Sequence, residues 1–282
     1  MTYRALYLHA KRTLQGAGVD SPGFDAAALA EFFFGLDRPG LARRGEERPE
    51  PCQEQAFLQG LAQRANRRPL QYILGNWPFM GLELAVGEGV LIPREDTAVL
   101  VEAVAERLGP APPQGLDLCA GTGAVGLGLC SLRPDSQVVC VELSEKALAY
   151  LKVNLERYPQ FQVTGQRENV LFPQALGRFP RELDFIASNP PYIATEELAG
   201  LQPEVRLEPM AALDGGKDGL IFYRKIAALW LPLLKSGGVL GVEIGEEQGL
   251  AVKALFLEAG LTKVEIRQDL AGLNRVVIGT KG

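Results

Sequence analysis

The chain of 282 residues contains a single histidine, His9. One imidazole in a helix-like N-terminal stretch excludes Ser-His-Asp and Cys-His catalysis and any histidine-rich metal site. His9 itself reads as a surface or packing residue. The four cysteines, Cys52, Cys119, Cys130 and Cys140, form no C-x-x-C pair. Zinc-ribbon and dithiol redox chemistry therefore lack a ligand set, and reduced, buried thiols of a cytosolic protein are expected. No apolar run approaches the ~18 residues that span a bilayer, and no leader pattern opens the sequence. Basic residues are outnumbered, 29 against 34, giving a net charge of -5. No global field draws such a chain to nucleic acid. What remains, 47% apolar and 22% charged, is the composition of a soluble globular protein, expected in the cytoplasm and long enough for two domains.

Two texture changes divide it. Residues 1–69 read as an all-α module: "YRALYLHAKRTLQGAG" puts Leu6, Ala10 and Leu14 on one face, and "FDAAALAEFFFGL" and "CQEQAFLQGLAQRAN" follow. Pro- and Gly-containing joints separate them, around Ser21-Pro22-Gly23 and from Pro39 to Pro51. Residues 70–92 read as a linking β-hairpin, with "LQYILG" and "FMGLELAVG" as arms around Asn76-Trp77-Pro78. From 93 to 282 the chain alternates. Asp96 or Thr97 can cap a first helix bearing Val99, Leu100, Ala103, Val104 and Leu108. The strands "GLDLC", "SQVVCVEL", "FQVTG", "LDFIASN" and "GGVLGVEIG" then interleave with helices near 123–132, 144–157, 219–234 and 246–259. The last two runs, "TKVEIRQDL" and "NRVVIGT", are too close in sequence for a crossover and must pair antiparallel. An α/β fold follows, with a mostly parallel sheet closed by a C-terminal hairpin.

The first of these strands carries Asp117 and runs into the turn Cys119-Ala120-Gly121-Thr122-Gly123. Glycines there permit a tight turn and close backbone approach, suited to a dinucleotide, to S-adenosylmethionine, or to tight packing alone. Glu142, about twenty residues on and ending the next strand, can accept hydrogen bonds from a cofactor ribose. It can equally serve the dipole of the helix that follows. Asp117 needs partners within its strand, and the glycine loop or a cofactor amino group would supply them.

Further on, "SNPPYI" (Ser188 to Ile193) ends a buried apolar strand. The combination of "DLCAGTGAVGLGL", "VVCVELSEKALAYLKVN" and "SNPPYI" resembles class I (Rossmann-like) S-adenosylmethionine-dependent methyltransferases acting on nitrogen. "QYILG", "LIPREDT", "LQPEVRLEPMAALDGGKDGL", "VEIGEEQ" and "DLAGLNRVV" resemble the release-factor glutamine methyltransferases, over residues 70 to the end. The resemblance implies a seven-stranded sheet and S-adenosylmethionine as methyl donor, with S-adenosylhomocysteine as product. It implies the glutamine-bearing loop of a peptide-chain release factor as substrate. A glutamine side chain offers little to grip, so the helical module of residues 1–69 is expected to supply a second recognition surface. The resemblance also implies adenine contacts from Asn169 or Val170, although "ENVLF" departs from the family's acidic-aromatic pair there. "LIPREDT", with Arg94 and Thr97, becomes a lid, and "EVRLEPMAALDGG" a surface loop flanking the substrate channel.

The motif has its own chemical reason. An amide nitrogen is a poor nucleophile because its lone pair is delocalised, and its proton is too weakly acidic for a protein base to remove first. Two fixed acceptors can instead hold its N–H groups and aim the lone pair. The Asn189 oxygen and the Pro190 carbonyl supply them, stiffened by Pro190 and Pro191, while Tyr192 offers a flat wall. Two other readings compete: an adenine-N6 nucleic-acid methyltransferase, which shares Asn-Pro-Pro-Tyr but needs a basic face, and a non-catalytic binding module.

Overall fold

The structure, a computed structural model, describes residues 1–282. Its chain contacts define two compact units, Met1–Asn76 with Gln202–Leu207, and Trp77–Leu201 with Glu208–Gly282.

The first unit is helical. Helix α1 (Tyr3–Gly16) buries Tyr3, Leu6, Ala10 and Leu14 along one stripe, and Thr2 caps it by accepting from the Ala5 N–H. Helix α2 (Pro22–Phe34) begins at a proline, which suits a first turn, and stops at Gly35 in the left-handed region. Sequence pattern alone predicts a joint after it. The chain instead forms the short helix α3 (Arg38–Arg44), because Asp37 accepts from the Gly40 N–H at 2.7 Å and Pro39 fits the first turn. Helix α4 (Pro51–Ala65) opens with a Glu50/Gln53 capping box. Phe34 stacks on Phe57 and meets Tyr3 edge-on, giving the unit its aromatic centre. Helix α5 (Leu70–Leu74) stands where "LQYILG" reads as a strand, since a short apolar run does not distinguish the two and Gly75 closes it as a helix.

Within this unit lies a buried charge cluster. Arg64 donates to Asp25 at 2.6 Å and to Glu204 at 2.8 Å, and Arg67 donates to Glu204 at 2.7 Å. The segment Gln202–Leu207 thus belongs to the helical unit through its carboxylate.

The second unit opens with a two-stranded ribbon, β1 (Asn76–Phe79) and β2 (Leu82–Ala85). Its turn is Met80-Gly81, both with positive φ, the geometry that two-residue hairpins require. Asn76-Trp77-Pro78 therefore lies in the first arm instead of forming the turn. A 3-10 turn (Glu95–Thr97) leads into α6 (Ala98–Arg107). Then follow β3 (Gln114–Leu118), α7 (Ala124–Leu132), β4 (Gln137–Glu142), α8 (Glu145–Arg157), β5 (Gln162–Arg167) and β6 (Leu183–Ser188). The chain continues through α9 (Ile221–Lys225), extended by a π turn, to β7 (Leu234–Glu243), α10 (Gly249–Glu258), β8 (Leu261–Gln268) and β9 (Asn274–Lys281). The seven strands order as β5-β4-β3-β6-β7-β9-β8, parallel except for β9 with its two neighbours.

Strand residues alternate between two apolar layers. Cys140, Phe185, Ala187, Val239 and Ile278 pack with Leu100, Val104, Leu127 and Leu151 of α6, α7 and α8. Leu116, Leu118, Val141, Ile186, Leu240 and Val277 pack with Tyr223, Trp230, Val252 and Phe256. Both sheet faces are covered, which is why the central strands read as nearly unbroken apolar runs. Gly115 is required between β3 and β6, because a Cβ there would stand 2.5 Å from Phe185. The carboxyl ends of the parallel strands are left to the site.

The buried charge cluster sets a stability test. Arg64→Met leaves Asp25 without a guanidinium and Glu204 with Arg67 alone, and should destabilise the protein by about 3–5 kcal/mol. Chemical denaturation followed by circular dichroism measures it, and a loss no larger than the ~1 kcal/mol of an exposed pair would contradict the assignment.

Candidate active site

A cavity of about 570 Å³ opens at the carboxyl ends of β3, β4, β5 and β6. Its lining is mostly apolar, with Asp117, Glu142, Glu168, Asn169, Asn189 and Asp214 as its acidic and amide groups. This is the crevice where open α/β sheets bind ligands.

The glycine turn is built by its neighbours. Cys119, Gly121 and Gly123 all have positive φ, and Cys119 accepts that conformation without being glycine. The Gly121 N–H donates to Glu142 at 2.9 Å, and the Gly126 N–H, in the first turn of α7, donates to Asp117 at 2.9 Å. Asp117 thus holds the helix start and not the loop itself. Asn154 of α8 fixes the other side, accepting from the Ala85 N–H and donating to the carbonyls of Ala85 and Thr122. Nothing in the local sequence distinguishes Asn154 from a surface asparagine, although it is fully buried.

Glu142 ends β4 facing the cavity. One carboxylate oxygen already accepts from the Leu143 and Ser144 N–H groups at 2.7 Å, the other from Gly121. A carboxylate offers about four acceptor positions, so about one is open to a ligand. Capping of α8 falls to Ser144, whose hydroxyl accepts from the Ala147 N–H. After β5, Glu168 accepts from the Asn169 and Ala175 N–H groups, and the Asn169 side chain accepts from the Leu171 N–H. This double turn presents Asn169 and Val170 to the cavity.

At β6, Asn189 and Pro191 border the same cavity, while Pro190 is buried behind them and Tyr192 is half-buried. Gln248 holds this turn by donating to the Tyr192 carbonyl at 2.8 Å. Burial pushes the Tyr192 phenol up to about 12. The Asn189 amide donates to the Thr97 hydroxyl at 3.2 Å, and that hydroxyl donates to the Glu243 carboxylate at 2.6 Å. Thr97 makes no side-chain cap to α6, contrary to the capping role its place before that helix implies, because its hydroxyl is committed to Glu243. Burial raises the Glu243 carboxyl to about 7, against the lowering by Thr97 and Arg275. Burial likewise raises Asp117 to about 7, against the Gly126 N–H.

The expected cofactor residues Asp117, Cys119, Ala120, Gly121, Thr122, Glu142, Asn169, Val170 and Asn189 all line this one cavity; Gly123 stands just outside it. Sequence pattern does not pick out Val90, Leu143 or Phe222, which complete its walls. The segment read as a surface loop flanking the substrate channel contributes Pro209, Ala211, Ala212, Asp214 and Gly216 to the lining. It is anchored by Glu208, which accepts from the Ile92 N–H at 2.9 Å and pairs with Arg94. Cys119, Cys130 and Cys140 are at least partly buried, but Cys52 is exposed. The residues group into no candidate metal site, and no helix is long and apolar enough to cross a membrane.

Residues 5–75 match the family model described as "PrmC N-terminal domain", and residues 95–202 match "Methyltransferase small domain". The release factor glutamine methyltransferase of Moorella thermoacetica is 39% identical, over 98% of this chain and 97% of the relative. That of Geobacter sulfurreducens is 42% identical, over 94% and 92%. Among solved structures, the hMettl16 catalytic domain in complex with MAT2A 3'UTR hairpin 6 is similar in fold, with a TM-score of 0.58 at 17% identity over 82% of each chain. A methyltransferase from Pyrococcus furiosus has a TM-score of 0.54 at 19% identity, over 72% of this chain and 90% of that one.

Asp117 and Glu243 give the fold a defined pH response. Both have folded pKa values near 7, above their ordinary 3.8 and 4.5. Between those limits the folded chain retains protons that the unfolded chain has released. The stability they contribute is complete below the ordinary values and is lost as pH rises through about 7. The urea midpoint should therefore fall from about pH 5 to 8, by up to ~1.4 kcal/mol per pH unit for each group. The double substitution Asp117→Asn, Glu243→Gln should flatten the profile; a wild-type profile already flat would contradict both assignments.

Proposed function

The chain belongs to the release factor glutamine methyltransferases, and from that membership we propose how its cavity carries out the reaction. The enzyme transfers a methyl group from S-adenosylmethionine to the side-chain amide nitrogen (N5) of a glutamine in a class 1 peptide-chain release factor, leaving S-adenosylhomocysteine. The observation that carries the reading is that Asn189 and Pro191 border the same cavity as Glu142 and the glycine turn. Methyl donor and acceptor amide can meet there without crossing solvent.

The residues fit such a donor. Gly121, at φ +54, lets backbone approach a ligand closely, and only Val90 stands near the place a Cβ would take. Glu142 would hold the ribose through its open acceptor position, Asn169 and Val170 would meet the adenine, and the turn Cys119–Gly123 would hold the amino-acid portion. When bound, S-adenosylmethionine supplies an electrophilic methyl group on a sulfonium.

The chain's own groups prepare the acceptor. The Asn189 side-chain oxygen and the Pro190 carbonyl accept from the two N–H groups of the glutamine amide, holding its lone pair toward the donor. Pro190 and Pro191 fix φ on both sides of that carbonyl. Tyr192 supplies the neighbouring aromatic wall. The apolar lining limits water around the methyl group, and once methylated the nitrogen is acidic enough to give its extra proton to solvent water as the product leaves, so no protein base is needed.

The helical unit is assigned to recognition of the release factor. A glutamine side chain offers little to grip, so binding energy must come from a second surface. Phe24 and Phe32, at 52% and 51% exposure on α2, offer apolar anchors. Truncation near Leu70 is a poor test, because Gln202–Leu207 would lose the partners it has in that unit. With no basic excess and no membrane span, the partner is assigned as protein alone, in the cytoplasm.

Incubation with methyl-labelled S-adenosylmethionine, a release factor and duplex DNA, followed by mass spectrometry, should place the label on one glutamine of the release factor. Label on adenine would reverse the reading. Asn189→Ala should lower turnover about a hundredfold or more, as when one positioned hydrogen-bonding group is lost. Its S-adenosylmethionine affinity should stay within a few-fold, and normal turnover at saturating protein substrate would remove the proposed amide grip. Phe24→Ser with Phe32→Ser should raise KM for the intact release factor while leaving activity on a short glutamine peptide unchanged; equal effects on both substrates would remove the recognition role.

A further inference from the structure

The Asn189 carboxamide has two ends of nearly equal shape, and the two ends are chemically opposite. Its oxygen can accept from the target amide; its NH2 group would repel the same N–H donors. Rotation by half a turn exchanges them, so something outside the motif must decide which end faces the cavity. We propose that Thr97 and Glu243 are positioning residues that fix the Asn189 amide with its oxygen toward the substrate. This rests on the reading that Asn189 grips the target amide.

The hydrogen-bond order carries it. The Thr97 hydroxyl has one proton, and donates it to Glu243 at 2.6 Å. Its oxygen can then only accept toward Asn189, and it does so from the NH2 group at 3.2 Å. An ionised carboxylate has no proton to give, so it imposes one direction on the whole chain of bonds. A neutral amide in its place could donate to Thr97 and reverse that direction. Thr97 is 2% exposed and Glu243 1%, so water does not compete for either. The hydroxyl is also free of helix duty, since it makes no cap to α6.

The other groups around Glu243 leave this role to Thr97. Arg275 of β9 lies near but is paired with Asp269 and Asp96, and Arg94 is paired with Glu208. Asp96 and Tyr192 add their own charge and dipole from the two flanking segments. Tyr223 of α9 donates to the Glu243 backbone carbonyl and not to its side chain. Once Glu243 takes a proton it can donate to Thr97, and the freed hydroxyl proton can then turn toward the Asn189 oxygen. The amide is no longer held one way. Burial places that change near pH 7, with about 7 for the carboxyl.

The test compares wild type, Thr97→Val, Thr97→Ser and Glu243→Gln at saturating release factor and S-adenosylmethionine. Wild-type kcat should rise with pH to a plateau with an apparent pKa near 7, and Glu243→Gln should lose that limb. Thr97→Val should lower kcat about tenfold or more, as for a lost orienting bond, with KM and cofactor affinity within about threefold. Thr97→Ser, which keeps the hydroxyl, should recover most of the rate. Independently of turnover, the Asn189 side-chain NH2 resonances, identified by their absence in Asn189→Ala, should shift with an inflection near pH 7 in the wild-type protein and not in Thr97→Val. Wild-type kcat in a folded Thr97→Val, or Asn189 resonances that ignore pH, would overturn the proposal. A wild-type protein whose Asn189 titrates but which leaves the release factor unmethylated would instead sink the functional reading and uphold the orienting pair.

Discussion

Carboxylates at the ends of parallel strands must find donors, because water reaches them poorly and an unanswered charge there is costly. In this chain that requirement organises the site. Asp117 on β3 is answered by the first turn of α7, Glu142 on β4 by the glycine turn, and Glu243 on β7 by Thr97. Each bond ties a loop or a helix start to a strand. The loops around the cavity take their positions from the need to solvate three acids, and Glu208, held by Ile92 and Arg94, repeats the device on the outer wall.

The same constraint explains why the glycine turn can tolerate its backbone. Cys119, Gly121 and Gly123 lie at positive φ in sequence proximity. Such a turn is held by the bonds around it, from Glu142 on one side and from Asn154 to Thr122 on the other. A ligand therefore meets a surface already shaped, with little ordering left to be done on binding.

The sheet and the cavity were legible in the sequence because their signals are local. Apolar runs ended by glycine or proline marked the strands, and Glu142, Asn189 and the glycine turn sit at strand ends by simple counting. Less legible were elements decided by a single contact. Leu70–Leu74 has the composition of a strand and becomes a helix because Gly75 ends it as one. Pro39 looks like a breaker but opens α3, since Asp37 caps it. Asn154, Thr97, Gln248 and Glu208 were hidden for a different reason. Their partners lie tens of residues away, and no spacing rule connects a threonine before α6 with the last residue of β7. Thr97 in particular presents a helix-cap pattern while its hydroxyl serves another element.

The six residues Gln202–Leu207 give the helical unit a history as well as a shape. On the ribosome, Asp25 and Arg64 emerge early, and Glu204 emerges only after β6 has been made. Until then the Arg64 and Arg67 guanidinium groups lack the carboxylate that completes their cluster. The helices can gather first around Phe34 and Phe57, but their charge cluster is complete only once Glu204 has been made. A unit completed in that order cannot be exchanged between relatives as a simple N-terminal cassette. Any chimera has to carry both pieces of chain, and so do any two halves that are to reassemble from separate fragments.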